Sequence, residues 1–324
     1  MKFFRSPYYN AALNLAFEET LLKDTNEEFV LLYVNSPSVI VGKHQNSLAE
    51  VNYYEVIEKN IPLIRRISGG GTVYHDYGNI NFSFILNAPG NNKVDFRKYT
   101  APVLQFLESL SLPVSFGKRN ELLLDGKKIS GNAEHVHKNR VLHHGTLLFD
   151  SDLDVLQNTL KVDLLSYKDK SSKSVRSVVC NIKDYLDGVN IDSFIQKFEN
   201  WLLHTLSATK SELTSEQINS ADNLAEQKYR TTEWNFAYNP KYFLEKLNYY
   251  NMVPIQVFLS VEKGKILLAK LSSESRDNGI REILTMDFKN VFHDFLSIKN
   301  HLKTNEFFID MDEHFVNSYV KLFF

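Results

Sequence analysis

Apolar residues recur along this chain in short blocks, some with helical and some with strand spacing. Residues 11–23 read as an amphipathic helix, with Leu15 and Leu22 set among Glu18 and Glu19. A continuous apolar run follows at 29–34 and ends at Asn35-Ser36-Pro37, which predicts a buried strand closed by a turn. A short helix is expected over 52–60, a strand over 81–86, and a helix over 99–110 that stops before Pro113. Residues 121–124, 127–131 and 144–149 read as strands, and 153–160 and 191–206 as helices. The order is not a regular βαβ alternation, so an α+β domain with a mixed sheet is expected.

The pattern changes after Tyr238-Asn239-Pro240. Two apolar runs, 254–259 and 265–270, flank Val261-Glu262-Lys263-Gly264, a hairpin signature. A third strand is expected at 280–286 and a helix at 291–298. The expected organisation is a large domain over 1–243, a linker over 244–253 and a small α+β accessory domain over 254–324.

The chain has 324 residues, room for about two domains. Its net charge of -2 argues against a generic polyanion binder while leaving room for a local basic pocket. A single cysteine excludes an internal disulfide framework and a thiolate-built metal site. The first ten residues hold no apolar run of signal length, and no stretch nears 18 uninterrupted apolar residues. A soluble, cytoplasmic protein that binds neither nucleic acid nor membrane is the expectation.

Glycine placement locates the candidate chemistry. Ten of the 13 glycines fall between Gly42 and Gly145, with six of the ten histidines. The densest stretch is Arg65-Arg66-Ile67-Ser68-Gly69-Gly70-Gly71-Thr72-Val73-Tyr74-His75-Asp76. Three successive glycines lose much backbone entropy on folding, which makes sense where backbone must approach a ligand or wrap an anion. The pattern is neither the P-loop nor the dinucleotide fingerprint. A surface turn with a solvated arginine pair would also satisfy it. His75 could position an acyl group or be a satisfied structural histidine, and Asn79 could touch ligand or hold the turn.

A second cluster is Gly117-Lys118-Arg119-Asn120-Glu121, followed by Asp125-Gly126-Lys127-Lys128-Ile129-Ser130-Gly131-Asn132-Ala133. Asp-Gly signals a hairpin turn. On the strand after it, Lys127 and Lys128 point to opposite faces, so one can enter a cleft while the other meets solvent. A cleft lysine could bridge a carboxylate and a phosphate as they join. Asn120 and Glu121 offer oxygen ligands suited to Mg²⁺. Of the adjacent His143 and His144, at most one reaches the same pocket.

Together these segments resemble the lipoate–protein ligase A family of the biotin/lipoate ligase superfamily. The resemblance runs through Gly42-Lys43-His44-Gln45-Asn46, the glycine loop to Asn79, Gly117 to Asn120, Gly126 to Ala133 and His143 to Leu148, in order. Ser174-Val175-Arg176-Ser177-Val178-Val179-Cys180-Asn181-Ile182 is similar to the family's loop that closes over an adenylate, and Trp234 to Pro240 to the approach to its accessory domain. The resemblance implies a catalytic domain of the biotin/lipoate ligase type and a two-step reaction. Lipoate and ATP, with Mg²⁺, would give lipoyl-AMP, and the lipoyl group would pass to a lysine of a lipoyl domain of a 2-oxoacid dehydrogenase complex or of the glycine cleavage H protein. It implies Lys128 as the central catalytic lysine. Arg66, Ser68, Gly69, Gly70 and Gly71 would line the lipoyl and phosphate region, with the Phe-rich strand at 82–85 beside the acyl slot. His75 and Asn79 would shape the acyl pocket, Ala133 and His144 would lie by the ligand, and Arg176 would sit on the mobile loop. Asn120 would bind nucleotide and, with Glu121, the metal. Glu121 stands where aspartate is common, and Cys180 where threonine is usual. A lipoyl or octanoyl transferase lacking the activation step is the alternative enzyme, and a non-catalytic binder of lipoyl domains the alternative of another class.

Overall fold

The computed structural model describes residues 1–324 except 89, 91–93, 162 and 164. It is a mixed α+β protein whose chain divides into two compact units. The first comprises Met1–Lys43, Ile64–Gln157 and Val175–Arg230; the second comprises His44–Leu63, Asn158–Ser174 and Thr231–Phe324.

A six-stranded sheet organises the first unit. Its order is Asn132–His137, Arg140–Leu148, Asn79–Asn87, Phe29–Val34, Lys2–Arg5 and Thr209–Lys210. The last three pair in parallel and the rest antiparallel, so the sheet is mixed, as the irregular element order predicts. Phe29–Val34 is the expected buried strand. Asn79–Asn87 extends beyond the expected span because it pairs along its whole length with Arg140–Leu148. Its pleat sends Phe82 and Phe84 into the apolar core with Phe106, Phe194 and Phe198. The expectation that those rings line an acyl slot is corrected accordingly: successive strand residues face opposite ways, and Asn81 and Ser83 take the other face.

The helix Ala11–Asp24 is capped by Asn10, whose side chain accepts from the Leu13 N–H. It is not amphipathic in its setting. Every residue from Ala11 to Leu22 is buried, because strands of the sheet lie on one side and Ser215–Leu224 with Ala225–Tyr229 on the other. Glu18 and Glu19 are therefore interior, at 1% and 2% exposure.

Two small sheets complete this unit. Ser38–Val41 lies between Leu63–Arg65 and Val73–His75. Val114–Phe116, Leu122–Leu124 and Lys127–Ser130 form the other, turned at Asp125 and Gly126, both at positive φ as a two-residue hairpin requires. The helices Phe96–Ser109, Leu153–Thr159 and Ile191–Thr205 fall close to the expected places.

The second unit is built on an antiparallel sheet ordered Tyr167–Asp169, Tyr242–Tyr250, Val253–Glu262, Lys265–Ser273. Residues 244–253, expected as a linker, are the strand Tyr242–Tyr250 and its turn at Asn251 and Met252; alternate residues Tyr242 and Leu244 are buried, a strand period. The expected third strand at 280–286 is a helix, Asn278–Thr285. Ile280 and Ile283 are buried three residues apart, and Asp277 caps the first turn by accepting from the Ile280 N–H. The next helix is Phe295–Leu302, a few residues later than expected, because Asp294 is its cap. This unit also takes two segments from far upstream: Ser47 donates to the Asn235 carbonyl at 3.0 Å and Asn46 to Asp169 at 2.9 Å. No helix among the described residues is long and apolar enough to cross a membrane.

Candidate active site

The glycine loop is held from within by Arg66. Its Nε donates to Ser68 Oγ at 3.0 Å, Nη1 to the Ile40 carbonyl at 3.0 Å, and Nη2 to the carbonyls of Gly69 and Gly71 at 2.5 and 2.8 Å. Burial pulls this guanidinium down to about 10, against the nearby Glu18 carboxylate, which favours the charge. Arg66 thus fastens the loop with the donors that the sequence assigns to ligand. Gly70 adopts φ +87° directly beside that guanidinium, whereas a Cβ on Gly69 would meet nothing within 4 Å.

Ser68 continues the network. Its Oγ lies 2.6 Å from His144 Nε2, and His144 Nδ1 lies 2.8 Å from Glu18 Oε2. Glu18 Oε1 accepts from Tyr33 OH at 2.9 Å and from the Ser83 hydroxyl. With both hydroxyls donating to Glu18 Oε1, Glu18 Oε2 accepts a hydrogen bond from His144 Nδ1–H, and His144 Nε2 is left to accept from Ser68. Glu18, Tyr33 and Ser83 are the residues that sequence reasoning missed. The available signal was a helix too apolar to own a solvent face yet carrying two adjacent glutamates. His143 points the other way, to Glu134 at 2.9 Å and Thr100 at 3.0 Å, stacked on Phe84.

Lys127 is exposed and Lys128 half-buried, so the pair splits as the strand period requires. The Lys128 side chain folds over Gly131, where an added Cβ would stand 3.2 Å from Nζ. Burial holds its ammonium below the ordinary lysine value, opposed by Glu121 and reinforced by Arg119 and Arg66. Its backbone binds the loop segment beyond it: Lys128 N donates to the Val178 carbonyl at 2.8 Å and Cys180 N to the Lys128 carbonyl at 3.3 Å. Cys180 is buried, and burial pushes its thiol up, away from the reactive thiolate.

The remaining sites are less converged. Ala133 is buried, pairs with His144 across the hairpin and lies 3.7 Å from the Cβ position of Gly70. Asn120 sits at φ +62° and its carbonyl accepts from Asn132 Nδ2 at 3.0 Å. Glu121 curls back over Gly117 and accepts the Arg119 N–H at 2.7 Å. Asn79 is fully buried, with its N–H on the Asp76 carbonyl and its amide on Asn81, the turn-holding geometry. His75 is buried with Nδ1 2.9 Å from Asn35 Nδ2. Arg176 is exposed on irregular backbone, not gathered with the others.

Comparison with known proteins was made on the sequence and on the fold. A model of the lipoyl protein ligase A/B catalytic domain matches residues 10–203. Lipoate–protein ligase 1 of Staphylococcus aureus is 40% identical over 308 residues, 93% of this chain and 94% of that protein. A crystal structure of lipoate–protein ligase A bound with ATP superposes with a TM-score of 0.63 at 28% identity, covering 72% of this chain and 97% of that one. A bi-partite lipoate protein ligase of Thermoplasma acidophilum, solved in a study of that system and its E2 lipoyl domain, gives 0.62 at 28% identity, covering 72% and 95%.

Proposed function

The chain belongs to the lipoyl protein ligase A/B catalytic-domain family, and on that premise we propose that it joins lipoate to ATP, giving lipoyl-AMP and pyrophosphate, and then transfers the lipoyl group to a protein lysine. The lipoate carboxylate attacks the α-phosphorus and pyrophosphate leaves. The acceptor ε-amine then attacks the lipoyl carbonyl, an amide forms and AMP departs. A carboxylate is a poor acyl donor, and adenylation supplies the leaving group that the enzyme's own residues need not provide.

What the protein contributes is alignment and charge. The observation that carries the reading is Lys128, a half-buried cation lying over Gly131, on a strand whose backbone is paired with Val178–Cys180. A cation so placed neutralises the negative charge that gathers as carboxylate and α-phosphate join, and removing such a donor typically costs about 10²–10³ in rate. Gly69 leaves room for a ligand chain against backbone. Arg66, Ser68, His144 and Glu18 keep the loop rigid, so that little reorganisation is needed at the moment of reaction.

Asn120 and Glu121 are adjacent in sequence and offer one amide and one carboxylate as hard oxygen donors, and no group of three or more His, Cys, Asp or Glu able to hold a metal occurs among the described residues. That donor set fits a Mg²⁺ delivered on the triphosphate, which takes few protein ligands and supplies charge neutralisation at the phosphates. For the acceptor, the likeness to a ligase studied with its E2 lipoyl domain supports a lipoyl domain; the glycine cleavage H protein is the second acceptor proposed.

The test is pyrophosphate release by purified protein with Mg-ATP and R-lipoate, followed by addition of an acceptor domain and measurement of its mass. Lipoate-dependent release and a lipoyl mass increment are expected, both reduced at least about 100-fold in Lys128→Ala. Transfer from supplied lipoyl-AMP without pyrophosphate release would instead make the protein a transferase. Silence in both, from folded protein, would leave a binding role.

A further inference from the structure

Glu19 gathers cations on one face of the first unit. It is 2% exposed, and Lys23 and Lys228 reach it at 2.6 and 2.7 Å, with the Tyr229 hydroxyl donating at 2.5 Å. Burial would raise its carboxyl, but Lys228, Lys23 and Tyr229 hold it below the usual value. Two lysines on one carboxylate leave this face positive. The hairpin of Asn132–His137 and Arg140–Leu148 is tied to the same helix, because Arg140 Nη1 donates to the Leu21 carbonyl at 3.1 Å. Alternation puts Ala133, His135 and His137 on one side of the outer strand and Glu134 on the other, against His143. Burial, then Lys43, Lys23 and His137, hold the His135 imidazolium down to about 4, with Glu19 the opposing charge. Lys138 joins Lys23 beside His137. Glu27 and Glu28, near Arg140, are engaged by Lys2 at 2.7 Å and by the Asn87 N–H at 3.0 Å.

At its near end this face meets the glycine loop. The Lys43 N–H donates to the Ser68 carbonyl at 2.8 Å, and Ala133 lies 3.7 Å from the Cβ position of Gly70. The strand rises about 13 Å from Ala133 to His137, so the cations flank a path of roughly that length leading away from the loop. Lys23 and Lys138 are exposed along it, and Lys43 and Lys228 half-buried.

We propose that this face, formed by Lys23, Lys43, Lys138 and Lys228 about the outer strand, docks an acidic surface of the acceptor protein while its target lysine enters the site. This rests on the lipoate-ligase reading above. The second half-reaction brings a whole protein up to the glycine loop, and the ground beside that loop is this face. Lysines set apart on a protein surface steer an oppositely charged partner and repel a basic one, acting on encounter more than on the chemical step. The face therefore selects among acceptors without touching lipoate, ATP or the reacting atoms.

The experiment measures KM and kcat for lipoyl transfer to an E2 lipoyl domain at low and at high salt, beside pyrophosphate release without acceptor. In Lys23→Gln/Lys138→Glu, KM for the lipoyl domain is expected to rise about ten-fold at low salt. Its kcat at saturating acceptor and its acceptor-free pyrophosphate release should match the wild type. At high salt the difference should vanish, because screening reaches the wild type too. Lys23→Arg/Lys138→Arg, which keeps the charge, should behave as the wild type. An unchanged KM at low salt would overturn the proposal, and so would a rise that persists at high salt or appears equally in the arginine variant. Loss of single-stranded DNA binding in the variant, with KM for the lipoyl domain unchanged, would overturn it in favour of a nucleic acid. Should the double variant not fold, Lys138→Glu alone, on an exposed turn, decides by the same comparison. No pyrophosphate release by the wild type would overturn the ligase reading and this proposal together, a result distinct from normal release with an unchanged KM.

Discussion

Single side chains in this protein act mainly by fixing where protons sit. Glu18 is the clearest case, since one carboxylate gathers Tyr33, Ser83 and His144. Glu18→Gln keeps the shape but places an N–H against groups that donate. It is expected to lower stability by about 1–3 kcal/mol, read as a shift in the urea midpoint, and to slow pyrophosphate release through loosening of Ser68 and Arg66. The buried histidines set an acid limit. His75 is held down to about 3 and His293 to about 4, both chiefly by burial. Below about pH 6.5 the unfolded chain binds protons at these rings that the folded chain refuses, so stability is full above that pH and falls as pH drops toward 4, by up to about 1.4 kcal/mol per pH unit for each ring. His75→Phe should lessen that slope by about one proton, seen by comparing urea midpoints at pH 7.5 and 5. The splitting of Lys127 from Lys128 and of His143 from His144 was legible in the sequence because strand alternation is a local signal. Glu18 and Asn35 were not, because their roles depend on partners 15 to 126 residues away.

At the level of elements, the glycine loop and the hairpin beside it divide structural from functional demands. Gly69 has open space around its Cβ position and an ordinary φ, Gly70 has φ +87°, and a Cβ on Gly145 would lie 2.2 Å from Asn132 Oδ1 and 2.5 Å from the Phe82 ring. Gly145→Ala should therefore destabilise the protein by about 1–3 kcal/mol, with a lower melting temperature. Gly69→Ala should leave the melting temperature unchanged and lower pyrophosphate release, because only a bound acyl chain would meet the new methyl. Equal melting and equal turnover would show that no ligand passes there. Most helices and strands were legible from period and turn residues. The helix Asn278–Thr285 was misread as a strand because a short apolar run fits either period, and the Asp277 cap decides it. The burial of Ala11–Asp24 on all sides needed the sheet and the two later helices that enclose it.

For the whole molecule, the α+β class and a mixed sheet followed from element order, whereas the division into units did not. The second unit combines His44–Leu63 and Asn158–Ser174 with Thr231–Phe324. Composition shifts mark boundaries between contiguous stretches and carry no trace of segments that return from afar. Tyr167–Asp169 supplies an edge strand to Tyr242–Tyr250, and Ser47 satisfies Asn235 and Asn239. A fragment of residues 231–324 lacks both, and it is expected to lose cooperative unfolding and amide-proton dispersion. A sharp unfolding transition in that fragment would show instead that the upstream segments are accessory to it.

That interleaving has a consequence for the order in which the protein is made. Residues 44–63 leave the ribosome long before the segment they are to pack with exists, at synthesis rates of about 5–20 residues per second. Gln45, Asn46 and Ser47 are fully buried in the finished protein and must stay hydrated until then. The nascent chain therefore meets the partners of these residues in two stages, Asp169 and Ser174 midway through synthesis and Asn235 and Asn239 only in its last third.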